Sequence, residues 1–193
     1  MRVRTWNAKT LPFLEEKIVF RASALEGIEL GSVLCLYGGN EGRLTQWYRE
    51  RAKTVLSVDI DATADVTADV VEFLRTLPPS SWDCVDVDPF GSSMLAIQAF
   101  WEAGHRTRIL LLTEGTMAAV RLRRRVNLFR LYGLPPNRPV RPQRWHYDYF
   151  ESLVLMGIAR LMPIGWSIAH FSCCPNRYKM ALYAAVYLEE SDA

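Results

Sequence analysis

The residues best suited to chemistry lie in one short segment, Trp82-Asp83-Cys84-Val85-Asp86-Val87-Asp88-Pro89-Phe90-Gly91-Ser92-Ser93. Its first half has the pattern of a buried strand, and Pro89 and Gly91 end that strand in a tight loop. Open α/β sheets bind their ligands at the carboxyl ends of the strands. The segment therefore predicts a ligand site that begins at Asp88.

The side chains of this loop indicate what the ligand is. Asp88 and the backbone carbonyls at Asp88 and Pro89 are hydrogen-bond acceptors, and Phe90 offers a flat apolar face. Together they suit a planar base that carries an exocyclic amine, so Asp88, Pro89 and Phe90 are candidate catalytic residues. The alternative is an ordinary Asp-Pro turn with Phe90 packed into the core.

Strands and helices alternate along most of the chain. Apolar strand patterns cover 33–37, 54–59, 84–88 and 108–113, and helical patterns cover 12–25, 42–52, 69–74, 92–103, 117–131 and 147–161. The last two apolar runs, 166–171 and 178–188, predict an antiparallel pair. The fold class is therefore α/β, a doubly wound and mostly parallel sheet with helices on both faces and an antiparallel final strand.

Length and composition limit the class of protein. The 193 residues predict a single domain, 1–193, with an amino-terminal helix in 1–30, a core at 30–188 and a basic helix and loop at 117–147. No apolar run approaches the ~20 residues of a membrane span, and no signal peptide is evident. The four cysteines lack metal-ligand spacing. We expect a cytoplasmic protein without a metal site or membrane contact.

Acidic residues recur at successive strand ends. Gly38 and Gly39 open a loop after the first strand, Asp59 ends the second strand about twenty residues later, and Asp69 precedes the next helix. A carboxylate at Asp59, with Asp61 as the near alternative, can accept both hydroxyls of a ribose, and Asp69 beside Val70 can hold an adenine amine. Each acid alone is more often a surface or capping residue. Their order predicts an adenosine-containing cofactor beside the base-binding loop.

The chain resembles Rossmann-type S-adenosylmethionine-dependent methyltransferases, and more narrowly the tRNA guanine-N2 dimethyltransferase family. The segment from Asp83 to Ser92 is similar to that family's D-x-I-D-L-D-P-F-G-S-P. Asp69 with Phe73 and Leu74 resembles its adenine-binding acid and following helix. Leu111-Leu112-Thr113 and residues 157–178 follow the order of its later elements.

The resemblance implies S-adenosyl-L-methionine as cofactor and a role for each matched residue. Asp59 would bind the ribose, Asp69 the adenine amine, and Gly38 and Gly39 the methionine portion. The predicted cofactor-binding residues are Tyr37, Gly38, Gly39, Glu41, Asp59, Ile60, Asp69, Val70 and Asp86. Asp88 would hold the guanine amine and accept its proton, while Phe90 stacks on the base. Cys35 stands where the family's first strand delivers an acid, a role that Glu41 is placed to take over.

Arginines are concentrated in one segment. Ten of the 19 arginines fall between Arg106 and Arg144, where acids are few. The guanidinium fork suits phosphate, so this segment predicts an RNA partner, tRNA in particular, although a solvated basic helix face is the alternative. The predicted nucleic-acid-binding residues are Arg121, Arg123, Arg124, Arg125, Arg138, Arg141 and Arg144.

These observations predict an S-adenosylmethionine-dependent N-methyltransferase that acts on a base amine, guanine in tRNA above others. One alternative is a methyltransferase of DNA or of other RNA. Another is a non-catalytic methyltransferase-like domain that binds nucleic acid or a partner subunit, for which Cys35 and Glu41 are the motive. A partner subunit and a homo-oligomer both remain open.

Overall fold

The computed structural model describes residues 11–38, 42–116, 132, 147–177 and 181–191. Its helices are α1 (Leu11–Ala24), α2 (Arg43–Arg49), α3 (Val70–Thr76), α4 (Met94–Glu102) and α5 (Tyr147–Leu161). Its strands are β1 (Leu30–Leu36), β2 (Ala52–Asp59), β3 (Val66–Thr67), β4 (Ser81–Val87), β5 (Arg106–Glu114), β6 (Trp166–Pro175) and β7 (Leu182–Glu190). No helix in these segments has the length and apolar character needed to cross a membrane.

The strands form one sheet in the order β3-β2-β1-β4-β5-β7-β6. The first five strands are parallel, and β7 runs antiparallel to both β5 and β6. The predicted fold class, with its antiparallel final strand, is confirmed. From β1 the chain proceeds to β2 on one side, whereas from β4 it proceeds to β5 on the other. The carboxyl ends of β1 and β4 therefore flank a topological switch point, where such sheets bind ligands.

Side chains alternate along each strand, so each strand contributes apolar residues to both faces of the sheet. In β1, Leu34 and Leu36 pack in the cluster formed with α3, α4 and α5. Val33 and Cys35 point to the opposite face, which α1 and α2 cover. Cys84 of β4 lies in that second cluster, and the strand period of two places Asp86 on the same face. Asp86 of β4, and Asp88 directly after this strand, thus face α1.

A tight loop, without a helix, connects β2 to β3. The Asp65 carboxylate accepts hydrogen bonds from the backbone N–H and the hydroxyl of Ser57, at 2.9 and 2.8 Å, which folds residues 60–65 back onto β2. The sequence pattern does not predict β3, because two residues cannot display a period. The sheet therefore ends at a short edge beside Asp59.

The other predicted elements agree closely with the structure where it describes them. The helix predicted at 147–161 has those bounds, and the helix predicted at 12–25 is Leu11–Ala24. All four cysteines are free, and Cys35 and Cys84 are buried. The helix predicted at 117–131 lies outside the described residues.

Candidate functional site

The switch-point crevice lies between the loop that follows β1 and the loop that follows β4. The Asp88 N–H donates to the Leu36 carbonyl at 3.2 Å, and the Tyr37 N–H donates to the Val58 carbonyl at 2.8 Å. Asp88 therefore emerges beside the end of β1, and Asp59 ends β2 on the far side of β1. Because neighbouring strands lie about 4.8 Å apart, roughly 10 Å separates the Asp59 and Asp88 backbones across this edge.

The Asp88 carboxylate is held by a lysine from α1. Lys17 Nζ lies 2.6 Å from Asp88 Oδ1 and 2.7 Å from Oδ2. Burial alone would raise the pKa of Asp88, but the positive charges of Lys17 and Arg21 outweigh it and lower that pKa. Asp88 is therefore an ionised acceptor at neutral pH.

The ring of Phe90 lies outside the core. Its relative exposure is 82%, while Pro89 beside it is half-buried. The alternative in which Phe90 packs into the core is therefore wrong. An exposed aromatic ring two residues from a carboxylate offers a stacking surface next to a hydrogen-bond acceptor.

Asp86 lies beneath the crevice in a fully buried ion pair. Arg21 Nε and Nη2 each donate to one carboxylate oxygen at 2.6 Å, and the Tyr48 hydroxyl donates to Oδ2 at 2.7 Å. Burial acts to lower the pKa of Arg21, but the Asp86 charge and hydrogen bonds raise it well above its ordinary value. Both Asp86 oxygens are thus bound to protein groups. Asp86 supports the site from below here, and its predicted contact with a cofactor stays a prediction.

Matching spacings on a helix and a strand produce these two ion pairs. Lys17 and Arg21 are four residues apart on α1, a rise of about 6 Å. Asp86 and Asp88 are two residues apart along β4, which is about 6.6 Å. One turn of α1 therefore places one cation against each carboxylate on the same face of the sheet.

A buried glutamate at the end of β5 fixes the far side of the Asp88 loop. Glu114 Oε2 accepts from the Ser93 N–H and hydroxyl, both at 2.9 Å, and from the Ser92 hydroxyl at 3.1 Å. Its other oxygen accepts from the Thr116 N–H at 2.9 Å and from the Thr116 hydroxyl. The Gly115 N–H also donates to the Gly91 carbonyl at 2.7 Å. The loop that carries Asp88 and Phe90 is therefore anchored at both ends.

We expect Glu114→Gln to lower the free energy of unfolding by about 1–3 kcal/mol, because the amide replaces one acceptor oxygen with a donor that faces other donors. Urea denaturation of the wild type and the variant at neutral pH measures this difference.

The same pair of proteins tests the charge of Glu114. Burial raises the pKa of Glu114, although hydrogen bonds from Thr116 and Ser93 oppose the effect. The folded state thus binds this proton more tightly than the unfolded chain does. The contribution of Glu114 to stability then falls as pH rises from the ordinary glutamate pKa through the folded value. The stability gap between wild type and Glu114→Gln should narrow over that range, and a gap that widens would contradict this assignment.

Three predicted cofactor-binding residues lie together at the ends of β1, β2 and β3. Tyr37 has a left-handed backbone, with φ 66°, which is unusual for a residue other than glycine. Burial and the negative charges of Asp69 and Asp59 raise the pKa of Tyr37 to about 12. The Tyr37 N–H donates to the Val58 carbonyl at 2.8 Å, and the Ala68 N–H donates to the Asp59 carbonyl at 2.9 Å. The backbone thus places Tyr37, Asp59 and Asp69 at neighbouring strand ends.

The outer part of this group combines apolar surface with polar acceptors. Ile60 directly follows Asp59 and is 71% exposed. Asp69 Oδ1 caps α3, since it accepts from the Val71 and Glu72 N–H groups at 2.9 and 3.0 Å. The capping alternative is thus confirmed for Asp69, and its second oxygen can still accept. Val70 buries its side chain, which leaves its backbone N–H at the first position of α3 as the group that could serve a ligand.

The loop after β1 requires glycine at its second residue, Gly38. A Cβ atom at Gly38 would lie 2.8 Å from Thr45 Oγ1 and 3.0 Å from Cys35 Cβ, and the Thr45 hydroxyl donates to the Gly38 carbonyl at 2.9 Å. The backbone here passes close to α2. The predicted residues Gly39 and Glu41 lie outside the described residues, as do the seven predicted nucleic-acid-binding arginines.

The register explains why the first strand can lack an acid. Cys35 pairs with Asp86 across β1 and β4, and both face α1 and α2. Burial, followed by the Asp86 charge, raises the pKa of the Cys35 thiol well above its ordinary value. A carboxylate at position 35 would bring a second negative charge beside Asp86. In this chain β4 supplies the buried carboxylate at this point in the sheet.

Sequence reasoning did not identify Lys17, Arg21, Tyr48 or Glu114 as site residues. Lys17 and Arg21 had one signal, an i, i+4 spacing on α1 that matches the i, i+2 spacing of Asp86 and Asp88 much later in the chain. Glu114 had a weaker signal, an acid two residues after the apolar run 109–112.

A groove of about 620 Å³ lies at the opposite edge of the sheet, near the amino ends of β1 and β2. Leu25, Trp47 and Arg51 are among its lining residues. The acids and the exposed aromatic ring described above all lie at the carboxyl edge. The groove is therefore separate from the candidate site.

No protein-family model matches the sequence, and a comparison with curated proteins finds no match. Solved structures do share its fold. Trm1 from Pyrococcus horikoshii, solved with S-adenosyl-L-methionine, has a TM-score of 0.64 at 17% identity over 97% of this chain. This chain covers 57% of that protein, and so spans little more than half of its length.

Two smaller neighbours match over most of both chains. N-methyltransferase NodS from Bradyrhizobium japonicum WM9, solved with S-adenosyl-L-homocysteine, has a TM-score of 0.58 at 10% identity and covers 93% of this chain and 88% of its own. An S-adenosylmethionine-dependent methyltransferase from Archaeoglobus fulgidus has a TM-score of 0.51 at 12% identity and covers 91% and 93%. The chain therefore has the fold of S-adenosylmethionine-dependent methyltransferases, as the resemblance predicts.

Proposed function

We propose that this protein is an S-adenosylmethionine-dependent N-methyltransferase that acts on the exocyclic amine of a nucleic-acid base, guanine in tRNA above others. The observation that carries the proposal is the position of Asp88 and the exposed Phe90 at the switch point, across β1 from Asp59. An amine acceptor, a stacking ring and a ribose acceptor share one edge of the sheet.

The residues at the ends of β1, β2 and β3 fit the nucleoside part of the cofactor. Asp59 would accept the ribose hydroxyls, and Ile60 would cover one face of the adenine. The open oxygen of Asp69 would accept the adenine amine, and the Val70 N–H would donate to the ring. Tyr37 and Gly38 would line the path toward the methionine portion. The fit rests on the exposed Ile60 and on the backbone hydrogen bonds that place Tyr37, Asp59 and Asp69 at neighbouring strand ends.

S-adenosyl-L-methionine, when bound, supplies an electrophilic methyl group on a sulfonium. The protein's part is to hold the acceptor nitrogen in line with that methyl group, and positioning of this kind supplies much of the rate. The lone pair of an exocyclic amine is delocalised into the ring. Acceptors at the Asp88 carboxylate and the Pro89 carbonyl would favour the pyramidal, nucleophilic form, and Phe90 would hold the base by stacking. The Asp88 carboxylate would also take up the proton that the amine loses on methylation.

Three further observations support tRNA guanine as the substrate. The segment from Asp83 to Ser92 resembles the tRNA guanine-N2 dimethyltransferase family, and Trm1 from Pyrococcus horikoshii shares the fold over 97% of this chain. The arginines between 121 and 144 would bind phosphate. A base that is paired or stacked would have to be flipped out to reach Asp88.

Calorimetric titration with S-adenosyl-L-homocysteine tests the cofactor site. We expect the wild type to bind and Asp59→Ala to bind roughly 100-fold more weakly or worse, because two hydrogen bonds to a carboxylate are lost. Asp61→Ala is the matched control, since it removes a nearby acid but keeps the Asp61 N–H that donates to Asp59 Oδ1 at 3.1 Å.

A wild type that binds no S-adenosyl-L-homocysteine at millimolar concentration would overturn the enzymatic proposal. It would leave a methyltransferase-like domain that binds nucleic acid or a partner subunit. If binding is found, transfer of labelled methyl groups to bulk tRNA, compared with duplex DNA, separates the proposed substrate from the DNA alternative.

A further inference from the structure

Lys17 contacts the carboxylate that the proposed reaction uses, although α1 has other means of attachment. Arg21 binds Asp86, the Tyr183 hydroxyl donates to the Phe13 carbonyl at 3.4 Å, and the Tyr187 hydroxyl donates to the Ala24 carbonyl. Glu16 of the same helix pairs with Arg177. The contact between Lys17 and Asp88 is therefore not needed to hold α1 on the sheet.

The charges around Asp88 make Lys17 its counter-ion. From α1, Lys17 and Arg21 face Asp88, and Arg21 has both of its Asp86-facing nitrogens engaged. From β5, the Thr113 hydroxyl accepts from Arg21 Nη2 at 3.2 Å beside the two ion pairs. On β7, burial and the negative charges of Glu16 and Asp88 raise the pKa of Tyr183. Asp86 on β4 itself adds a second carboxylate. Two cations thus balance two carboxylates, and Lys17 is the cation that Asp88 binds directly.

The geometry leaves room for a substrate amine. An ionised carboxylate has about four acceptor positions, and the Lys17 ammonium uses one on each Asp88 oxygen. The part of the chain that the structure describes therefore leaves at least one acceptor position on this carboxylate open to a ligand. The Lys17 and Asp88 side chains are 18% and 16% exposed, so solvent and ligand can reach the pair.

We propose that Lys17 is a positioning residue for methyl transfer, which fixes the Asp88 carboxylate in its ionised form so that it accepts a hydrogen from a neutral, ring-attached amine. This inference rests on the proposed function. It also narrows the substrate class, because an Asp88 already neutralised by Lys17 gains little from a cationic alkylamine, whereas a neutral base amine needs only a free acceptor position.

The expected effect of removing Lys17 has a definite sign. Burial acts to raise the pKa of Asp88, and Lys17 is the first of the groups that lower it. In Lys17→Met the burial remains while this charge is lost, so the pKa of Asp88 rises. The acidic limb of kcat/KM for tRNA methylation should therefore move up by about 1–3 pH units. Lys17→Arg keeps the charge, so its acidic limb should lie close to that of the wild type.

Lys53→Met serves as the matched control, because Lys53 is an exposed lysine near the amino end of β2. Its pH profile should coincide with that of the wild type. An unshifted limb in Lys17→Met would overturn the proposal. A higher kcat/KM in Lys17→Met than in the wild type at every pH would also overturn it, because Lys17 would then compete with the substrate amine for Asp88.

A second readout needs no catalysis. Carbon-13 NMR can follow the titration of the Asp88 carboxyl carbon, whose signal is assigned by its loss in Asp88→Asn. The pKa of Asp88 should be higher in Lys17→Met than in the wild type, and in Lys17→Arg it should be close to the wild-type value. A shifted titration in a protein that methylates no nucleic acid would reject the proposed function while keeping the control of Asp88 by Lys17. An unshifted titration in an active enzyme would reject the role of Lys17 alone.

Discussion

Asp88→Ala is expected to slow methyl transfer to tRNA by about 10²–10⁴-fold. The substitution removes the acceptor that would hold the amine and draw its proton. It leaves Phe90 and the anchors at Glu114 and Leu36 in place, because these act through other residues and through the backbone. Affinity for S-adenosyl-L-homocysteine should change little, since Asp59 lies across β1. Single-turnover transfer of labelled methyl groups and calorimetry measure the two quantities.

The matched control is Asp83→Ala, at the other end of the same strand. Asp83 accepts hydrogen bonds from the Gly31 and Ser32 N–H groups at 2.7 and 2.9 Å and from Arg108. We expect this variant to lose stability but to keep its transfer rate while it remains folded. If Asp88→Ala retained activity within tenfold of the wild type, Asp88 would not be the amine acceptor, and the base-binding role of the loop would have to be abandoned.

Arg21→Met is expected to lower the free energy of unfolding by about 3–5 kcal/mol, because it leaves the Asp86 carboxylate buried without its counter-ion. Both groups of the pair are nearly inaccessible, at 0% and 2% side-chain exposure. Tyr48 would remain as a donor to Asp86 Oδ2, but a hydroxyl does not balance the charge. Urea denaturation at neutral pH measures the loss.

Two comparisons show whether burial is the cause. Arg108→Met breaks an ion pair of which the arginine is 71% exposed, and this should change stability by at most about 1 kcal/mol. The triple variant Arg21→Met, Asp86→Leu and Tyr48→Phe replaces the whole cluster with apolar groups. It should regain most of the lost stability, since buried ion pairs replaced by packed apolar groups are often neutral or better. Equal losses in Arg21→Met and Arg108→Met would contradict the assignment.

The hydrogen bonds of the Arg21–Asp86 pair do not satisfy all of its buried polar atoms. Among the residues that the structure describes, Arg21 Nη1 is the buried side-chain nitrogen without a hydrogen-bond partner. An unsatisfied donor of this kind lowers the benefit of the pair to stability. This is a further reason to expect that the apolar triple variant approaches the wild type.

The sequence by itself determined the architecture, because the fold follows from local patterns. In β4, Val85 and Val87 alternate with Cys84 and Asp86, and this alternation specifies which residues share a face of the sheet. Proline and glycine mark the ends of the strands and helices. The Asp88-Pro89-Phe90-Gly91 segment and the acids Asp59 and Asp69 were likewise visible, since each lies directly after a strand or before a helix. Among the strands that the structure describes, β3 was too short to show a pattern.

The tertiary structure alone decided the partners of those acids. Arg21 lies 65 residues from Asp86 and Lys17 lies 71 residues from Asp88, so no local pattern joins them. Asp86 and Asp88 read alike as strand acids, yet one lies buried under the site and the other faces the crevice. The packing of α1 against β4 makes that difference, because the position and charge of a side chain depend on what the folded chain places beside it.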